Sequence, residues 1–450
     1  MRILYITSYP LEYSSSANMR NIALIKGLIE NGNEVHTLST SLDKESSLYD
    51  NSLLNINIKK RYWIELGNIH KKISTKSGEK FKKKILDFAY KMYMKINIYD
   101  SRAKLAKKVK DLKIDNNYDV IISSSDPKSA HLFAEELINN NPNITKRWIQ
   151  YWGDPFASDI NRKSLIPKSI VKNEEKRLIS KCDKVIYVSP FTLEAQMKLY
   201  PNEKEKMIFA PIAYIDEKTF PKTNNQNVTL GYFGDYKKND RNICELYKCC
   251  IDNGYNLVVT GNSDLKLEET SKIKIMPRQK KSIIEEYENK CDILVCICNK
   301  SGTQIPGKVY HYSCTNKPIL IILDGSKTNE LKKYFGSFER FYMCLNDSNE
   351  IQKEIKKIKE ENKTFEPCKK LSSKYIAKQL IEEMKWFNEK NFYVCNRTNN
   401  RSYTWLYNIT NNITFYFNGT IWYVIIVSSY IQFSICFHFA RIWSSIYEGI

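Results

Sequence analysis

The sequence predicts an α/β protein with two halves, each folded as a doubly wound parallel β-sheet. Two observations carry this prediction. Short apolar runs alternate with amphipathic helical segments from the first residues onward, and the alternation starts again after a polar, proline-containing stretch near residue 200. The chain has 450 residues, 42% of them hydrophobic and 27% charged, which is typical of a globular protein of two or three domains.

In the first half, apolar runs of four or five residues predict strands at 3–7, 34–38, 120–123, 147–151 and 184–188. Apolar residues that recur every three or four positions predict helices at about 22–29, 129–138 and 170–181. The Asn31–Gly32 pair is a typical helix end. We therefore predict a first Rossmann-like domain over residues 1–205.

A linker is predicted at 206–226, where Pro211 and Pro221 interrupt a polar passage. Further apolar runs then predict strands at 228–233, 257–260, 272–275, 293–297 and 319–323, with helices at 242–252 and 282–289. These elements form a second predicted domain over 227–370. An amphipathic stretch at 371–390 predicts a closing helix.

The segment 59–113 is unusually basic, with eighteen Lys/Arg against five Asp/Glu, and aromatic residues such as Tyr62, Trp63 and Phe88 are interleaved. One interpretation is a solvated helical insertion that turns its aromatic residues to the core. Another is docking on an anionic membrane, with basic side chains at the headgroups and aromatic ones at the interface. Nucleic-acid binding is a third, but no nucleic-acid-binding motif accompanies the charge, so we expect no nucleic-acid partner.

The formal net charge of +20 favours anionic partners in general. The twelve cysteines show no metal-ligand spacing, so we expect buried free thiols in a reducing compartment and no metal site. The N-terminal residues MRILYIT form too short an apolar run for a signal peptide.

The tail at 391–450 differs from the rest of the chain, since it has no lysine and residues 402–440 carry no charge. Residues 421–440 are mostly apolar and long enough to span a bilayer, but they include serines, a glutamine and a histidine. An interfacial segment, a weak anchor and an extension without an evolved fold all remain open.

Four places have residues suited to bind a ligand. Two lie in the first half: the loop after the first strand, with Ser15, Ser16 and Arg20, and the sequence WGDPF, with Asp154. Both follow strands, where polar ligands bind in such sheets. Asp154 is suited to accept a hydroxyl proton or to hold a sugar hydroxyl, although it equally suits a helix cap.

The other two places lie in the second half. GYFGDYKKNDR brings Gly234 close to Lys238 and Arg241, a combination suited to a diphosphate. SGTQIPGKVYHY places Gly307 and Lys308 at a helix start, with His311 three residues further on. Neither GxxxxGK[ST] nor GxGxxG occurs, which argues against kinase-type and dinucleotide sites.

Five passages in this order resemble bacterial GT-B-type retaining glycosyltransferases of capsule, O-antigen and exopolysaccharide synthesis, over about residues 1–390. They are RILYITSYP with the following helix, SSDPKSAHLFAEEL with YWGDPF, EKRLISKCDKVIYVSPFTLEAQ, GYFGDYKKNDRN, and CDILVCICNKSGTQIPGKVYHYSCTNKPILIILDG. The resemblance implies a sugar transferred from a nucleotide-diphosphate sugar to a glycan or lipid-linked acceptor, with no further cofactor. It also implies a cytoplasmic protein, peripheral at the inner face of the plasma membrane.

Residue roles follow from the resemblance. Arg241 and Lys308 are expected to stabilise the leaving diphosphate, and Asp154 to face the reacting sugar in the cleft. Donor-binding residues are expected in the second half: Gly234, Asp235, Lys238, Thr303, Gly307 and His311. Acceptor-side residues are expected in the first half: Ser15, Ser16, Arg20 and His131.

The sequence departs from this family at one point. Many members carry two glutamates eight positions apart, and alignment on Lys317–Pro318 places Thr303 and His311 there. Two alternatives therefore stay open beside the transferase. One is a non-catalytic relative that serves as a scaffold at the membrane, and the other is a nucleotide-sugar epimerase of the same fold.

Overall fold

A computed structural model describes residues 1–46, 48–66, 88–90, 92–160, 162, 164–223, 225–389, 404–408, 412–417 and 420–425. The chain divides into two compact units, Met1–Gln379 and Leu380–Ile450. Both parallel sheets lie in the first unit.

Seven parallel strands form the first sheet: β1 (Arg2–Thr7), β2 (Glu34–Thr40), β3 (Lys60–Ile64), β4 (Val120–Ser124), β5 (Trp148–Trp152), β6 (Lys184–Tyr187) and β7 (Met207–Phe209). Their order is β3-β2-β1-β4-β5-β6-β7. The helices between them are α1 (Ser16–Glu30), α2 (Ser129–Asn140), α3 (Lys168–Lys181) and α4 (Pro190–Leu199), with 3-10 helices at Ser101–Asp111 and Pro201–Lys206. The chain reverses its direction of winding between β1 and β4, which makes the carboxyl edge there the expected ligand position.

Six parallel strands form the second sheet: β8 (Thr229–Phe233), β9 (Asn256–Thr260), β10 (Ile273–Met276), β11 (Ile293–Ile297), β12 (Ile319–Leu323) and β13 (Tyr342–Leu345). Their order is β10-β9-β8-β11-β12-β13, so the reversal falls between β8 and β11. The helices are α5 (Cys244–Asn253), α6 (Lys281–Lys290), α7 (Gly307–Tyr312), α8 (Thr328–Gly336), α9 (Ser348–Glu361) and α10 (Ser373–Glu389), with a 3-10 helix at Lys369–Leu371.

The two sheets have separate hydrophobic cores, one built on β1, β4 and β5 and the other on β8, β11 and β12. All residues of β11 and β12 are buried, as expected for strands covered by helices on both faces. Helix α1 packs closely on the start of α10 at Gly27, where a Cβ atom would overlap the carbonyl oxygen of Ser373. The ten cysteines in the described residues are free, and all but Cys244 are buried.

The predicted fold class is confirmed: the chain is an α/β protein with two parallel sheets. The prediction overlooked the edge strands β3 and β7, and it also overlooked β13 and the helices α4, α8 and α9. β3 begins the basic segment 59–113, and the 3-10 helix Ser101–Asp111 lies near its end; residues 67–87 of that segment lie outside the described residues. β7 falls within the stretch predicted as a linker, and the domain boundaries proposed above stay predictions.

The second unit contains a three-stranded antiparallel sheet of β14 (Thr404–Asn408), β15 (Asn412–Phe417) and β16 (Thr420–Ile425). The apolar stretch 421–440 thus starts as a strand, and residues 426–440 lie outside the described part of the chain. No helix in the described ranges has the length and apolar character needed to cross a membrane. Whether the tail serves as an anchor or is an extension without a function stays a prediction.

Candidate functional site

Asp154 lies just after β5, in a group of charged side chains at the carboxyl edge of the first sheet. Burial and the negative charges of Asp126 and Asp159 raise the pKa of Asp154 to about 6, while Lys128 and Arg20 oppose the shift. Lys128 forms an ion pair with Asp126, and its Nζ lies 5.4 Å from the centroid of the Trp152 ring. Near neutral pH, therefore, Asp154 is a carboxyl group that can hold a proton or release it.

Arg20 is buried beside this group and braces the turn that carries Asp154. One guanidinium nitrogen, Nη2, donates to the carbonyl oxygen of Ser125, and the guanidinium lies 5.2 Å from the Tyr151 ring. A Cβ atom at residue 153 would overlap Arg20 Nη1, so only glycine allows this approach. The Nε atom of Arg20 is buried without a hydrogen-bond partner.

The other residues predicted on the acceptor side are placed differently. Ser15 caps α1, since its hydroxyl accepts the backbone N–H of Asn18 at 3.1 Å, and Ser16 is exposed at the same helix start. His131 has no exposed surface: its ring stacks on Trp152 at 4.6 Å, and Nδ1 lies 2.8 Å from the hydroxyl of Ser123. His131 therefore packs against Trp152 inside the protein and has no surface that a ligand could contact.

Glu175 of α3 holds the loop after Asp154 from inside the protein. Its carboxylate accepts the backbone N–H groups of Phe156 at 2.7 Å and Ala157 at 3.0 Å, and the Tyr200 hydroxyl at 2.8 Å. The side chain is fully buried. Because three donors converge on one carboxylate, Glu175 fixes the backbone that follows Asp154.

In the second half, the loop after β8 carries Gly234, Asp235, Lys238 and Arg241. Asp235 is bonded to other residues of the second half at the surface: its carboxylate accepts the N–H of Asn262 at 2.9 Å and the guanidinium of Arg278 at 2.6 Å. Lys238 is exposed, and a Cβ atom on Gly261 would overlap the carbonyl oxygen of Gly234. The loop is therefore tied to the end of β9.

Arg241 lies at the reversal point of the second sheet. Its Nε atom is 3.6 Å from the carboxylate of Asp240 and buried without a hydrogen-bond partner. Its positive charge lowers the pKa of the thiols of Cys296 and Cys298, an effect that burial outweighs. Arg241 thus faces the carboxyl end of β11 with an unsatisfied donor.

Gly307, Lys308 and His311 lie on α7, which has only six residues. Lys308 Nζ is 3.7 Å from the carboxylate of Glu288, a buried residue of α6 that sequence reasoning missed. Burial and the positive charges of Lys308, Lys218 and Lys281 together lower the pKa of His311 to about 3. His311 is therefore neutral at physiological pH and can take part in hydrogen bonds but not in charge pairing.

An open pocket lies between the halves, at the carboxyl ends of β11 and β12. Phe191 of the first half lines it on one side. The second half contributes the loop after β11, the loop after β12 and Leu331 of α8. The loop residues are Cys298, Asn299, Lys300, Ser301, Gly302, Thr303 and Gln304, and Asp324, Ser326 and Lys327. Lys327 Nζ is 5.2 Å from the Phe191 ring centroid, and the Asn299 side-chain oxygen is buried without a partner. The pocket therefore offers cations and unsatisfied polar groups to a ligand.

The pocket-lining loop also joins the two halves. Thr303 uses its carbonyl oxygen to accept the Ser189 hydroxyl at 2.5 Å, and its hydroxyl lies 2.9 Å from that of Thr192. The amide of Gln304 donates to Asp159 at 3.2 Å. The loop thus reaches from the pocket to the acidic group around Asp154.

The structure therefore brings together Arg20 and Asp154 in the first half, and it places Thr303 in the pocket. Lys308 lies beside Glu288, and neither Lys308 nor His311 is among the pocket-lining residues. Sequence reasoning missed the pocket lysines Lys300 and Lys327; their position after apolar strands was the available signal. Among the residues the structure describes, no three His, Cys, Asp or Glu side chains are placed to hold a metal ion.

No protein-family model and no curated protein sequence matches this chain. Several solved structures do. The catalytic domain of starch synthase IV from Arabidopsis thaliana, bound to ADP and acarbose, aligns at a TM-score of 0.53 and 9% identity, over 86% of this chain and 97% of that one. An E. coli structure named for trehalose-6-phosphate and bound with UDP-2-fluoro glucose aligns at a TM-score of 0.52 and 11% identity, over 86% and 99%.

A UDP-N-acetylglucosamine 2-epimerase aligns at a TM-score of 0.47 and 9% identity, over 89% of this chain and 98% of that one, which is too distant to carry an argument. The two alignments above 0.5 show a shared fold, and they confirm the predicted GT-B class of two Rossmann-like sheets. At such low identity they show the fold alone.

Proposed function

We propose that this protein is a glycosyltransferase that moves a sugar from a nucleotide-diphosphate sugar to a glycan or lipid-linked acceptor. One observation carries the proposal: the pocket between the halves, where Lys300 and Lys327 line the carboxyl edge of the second sheet opposite Phe191. Two structures with the same fold are bound with ADP and with a UDP-sugar, respectively. A pocket with cations at this edge suits the same class of donor.

The donor diphosphate is assigned to the second half. Arg241, with its unsatisfied Nε, and the pocket lysines Lys300 and Lys327 supply positive charge where the leaving group develops negative charge. Lys308 remains a proposed contact, and to reach the diphosphate it must leave the carboxylate of Glu288. Gly234 and Gly307 let the backbone approach the ligand, while Asp235, Lys238 and His311 are proposed to support the donor from outside the pocket.

The acceptor is assigned to the first half, where Asp154 can hold a hydroxyl group. We propose transfer with retention. The bond from the anomeric carbon to the diphosphate breaks, and the acceptor oxygen bonds to that carbon on the same face. The proton of the acceptor hydroxyl passes to the departing phosphate oxygen, so no protein base and no metal or other cofactor is required. Asp154, with a pKa of about 6, orients the hydroxyl through a hydrogen bond.

The cellular setting is proposed from sequence. The net positive charge of residues 59–113 suits an anionic membrane, and the five-passage resemblance suits surface polysaccharide synthesis. We therefore propose a peripheral protein on the cytoplasmic face of the plasma membrane that builds a cell-envelope glycan.

A thermal-shift screen of the full chain against UDP-, GDP-, ADP- and dTDP-sugars tests the proposal. A ligand at 100 times its Kd stabilises the folded state by about 2.7 kcal/mol. Lys327→Ala should weaken the affinity for the stabilising sugar nucleotide about tenfold, since a charge-assisted contact to phosphate is lost. Lys332→Ala is the matched control, because Lys332 is exposed on α8 and does not line the pocket.

Two outcomes separate the alternatives. If no sugar nucleotide stabilises the protein, the transferase proposal fails. If one binds in the pocket but neither transfer nor epimerisation of the sugar is detected, the non-catalytic scaffold is favoured. That outcome would agree with Thr303 and His311 at the positions where glutamates are expected, since Thr303 is bonded to the other half and His311 is neutral.

A further inference from the structure

A short helix in the first half turns an apolar face to solvent. Residues 88–90 and 92–96 are helical, and Phe88, Met92 and Ile96 are spaced four apart, so they lie on one face. Their exposed fractions are 67%, 37% and 60%. Tyr90 lies on the opposite face, and burial raises its pKa to about 12. Met94 lies nearer the side of Tyr90 and is also 37% exposed, so among the described residues of the helix only a narrow stripe, at Tyr90 and Tyr93, is partly buried.

Leu165 extends this apolar face. Its backbone N–H donates to the carbonyl oxygen of Lys95 at 2.8 Å, so the loop before α3 runs against the end of the helix. The side chain of Leu165 is 70% exposed, and Ile170 in the first turn of α3 is 48% exposed. Exposed side chains of this size from two separate segments are uncommon at one place on a soluble surface.

Exposed lysines lie in the segments next to this helix. Lys104 Nζ is 5.3 Å from the ring of Tyr93, which places the 3-10 helix Ser101–Asp111 next to the short helix. Residues 95–113 contain one exposed acidic residue, Asp111, and six exposed lysines. The lysines are Lys95, Lys104, Lys107, Lys108, Lys110 and Lys113. Lys168 is also exposed, three residues after Leu165 in the chain. An apolar face with lysines in the adjoining segments matches a bilayer with anionic headgroups, which offers hydrocarbon beneath negative charge.

We propose that Phe88, Met92, Ile96 and Leu165 insert into an anionic lipid bilayer and form the membrane-docking face of this protein. The lysines of the adjoining segments contact the headgroups. This assigns the membrane contact to specific side chains of the folded first half. It differs from the charge argument above, because it requires apolar insertion and includes a loop outside residues 59–113.

The docking face is joined to the candidate acceptor site. The same loop runs from Asp154 through Asp159 to Leu165, and Arg162 within it donates both terminal guanidinium nitrogens to the carbonyl oxygen of Ile98 at 3.1 Å. A bilayer under Leu165 therefore lies eleven residues along the chain from Asp154. Docking itself does not depend on sugar transfer; only its use to present a lipid-linked acceptor rests on the function proposed above.

Vesicle flotation of the full chain, without nucleotide, tests the docking. Vesicles of phosphatidylcholine with one third phosphatidylglycerol are compared with pure phosphatidylcholine at about 50 mM salt, where charge attraction is only weakly screened. The double variant Phe88→Gln/Leu165→Gln should bind the anionic vesicles at least about tenfold more weakly than wild type, since two inserted side chains are lost. The matched control is Ile251→Gln/Leu345→Gln, which removes two exposed apolar side chains from the second half and should leave binding unchanged.

Each result supports or overturns the proposal. Loss of binding in the first variant only, with an unchanged melting temperature, supports it. Equal binding of wild type and both variants overturns it, as does equal binding to vesicles with and without anionic lipid. A dimer in sedimentation that Phe88→Gln/Leu165→Gln abolishes, with no vesicle binding, assigns the face to a second copy of the chain instead. If the protein binds vesicles but no sugar nucleotide, the membrane-docking proposal stands and only the glycosyltransferase proposal fails.

Discussion

Replacement of Asp154 by asparagine should change how the stability of this protein depends on pH. The carboxyl group has a pKa of about 6 in the folded chain against an ordinary value of 3.8, mainly because of burial and of Asp126. The folded state therefore binds the Asp154 proton more tightly than the unfolded state does. The stabilisation is fully present below pH 3.8 and is lost as the pH rises through about 6.

The size of the effect follows from these two values. At pH 8 the carboxyl is ionised in both states and proton binding contributes nothing. At pH 5 about ten of eleven folded molecules hold the proton, while few unfolded ones do, which stabilises the wild type by about 1.4 kcal/mol. The asparagine side chain of the variant cannot titrate. The stability of Asp154→Asn relative to wild type should therefore fall by about 1.4 kcal/mol between pH 8 and pH 5.

Urea unfolding of both proteins at pH 5 and pH 8 measures this difference, and the other titrating groups cancel because they are shared. Asp252→Asn, an exposed carboxylate on α5, is the control and should show the same pH dependence as wild type. If Asp154→Asn also follows wild type within a few tenths of a kcal/mol, the charged group around Asp154 does not raise its pKa. A difference of the opposite sign would mean that the positive charges of Arg20 and Lys128 lower the pKa of Asp154 by more than burial and the neighbouring acids raise it.

Three further changes test the packing, the loop and the surface. Gly27→Ala should cost about 1–3 kcal/mol of unfolding free energy, because the new Cβ overlaps the backbone of Ser373, whereas Gly336→Ala, with open space around it, should be neutral or slightly stabilising in the same urea titration. Glu175→Gln should cost about 2–3 kcal/mol, since one amide oxygen cannot serve three donors, and it should shift the loop resonances in NMR. Charge reversal of the three lysines at 82–84, which lie outside the described residues, should weaken binding to anionic vesicles at low salt; unchanged binding would identify them as solvated side chains.

The strands that could be predicted from the sequence are those buried on both faces, because such strands are continuous apolar runs. The runs that became β11 and β12 are apolar throughout, and β1 is apolar at its four central positions, a pattern that few other elements produce. β3 and β7 escaped notice for the opposite reason. β3 has the sequence KRYWI and lies at a sheet edge, and β7 has only three residues, so their strand character comes from pairing with β2 and β6.

The candidate site was predictable residue by residue but not as an arrangement. Asp154 stood out because it follows a strand, whereas Asp126 and Lys128 come from the loop after β4, and only the sheet order brings them next to it. Lys308 was expected at a helix start, and its pairing with Glu288 depends on how α6 and α7 pack. Contacts between distant segments of this kind leave no periodicity in the sequence.

The loop from Ser301 to Gln304 lines the pocket and also carries the hydrogen bonds to Ser189, Thr192 and Asp159. Separation of the two halves must therefore move one wall of the pocket at the same time. The residence time of a bound molecule would then depend on the hydrogen bonds between the two halves as well as on its own contacts. The first half can thus regulate the rate of exchange at the pocket through side chains such as Thr192, which do not line it.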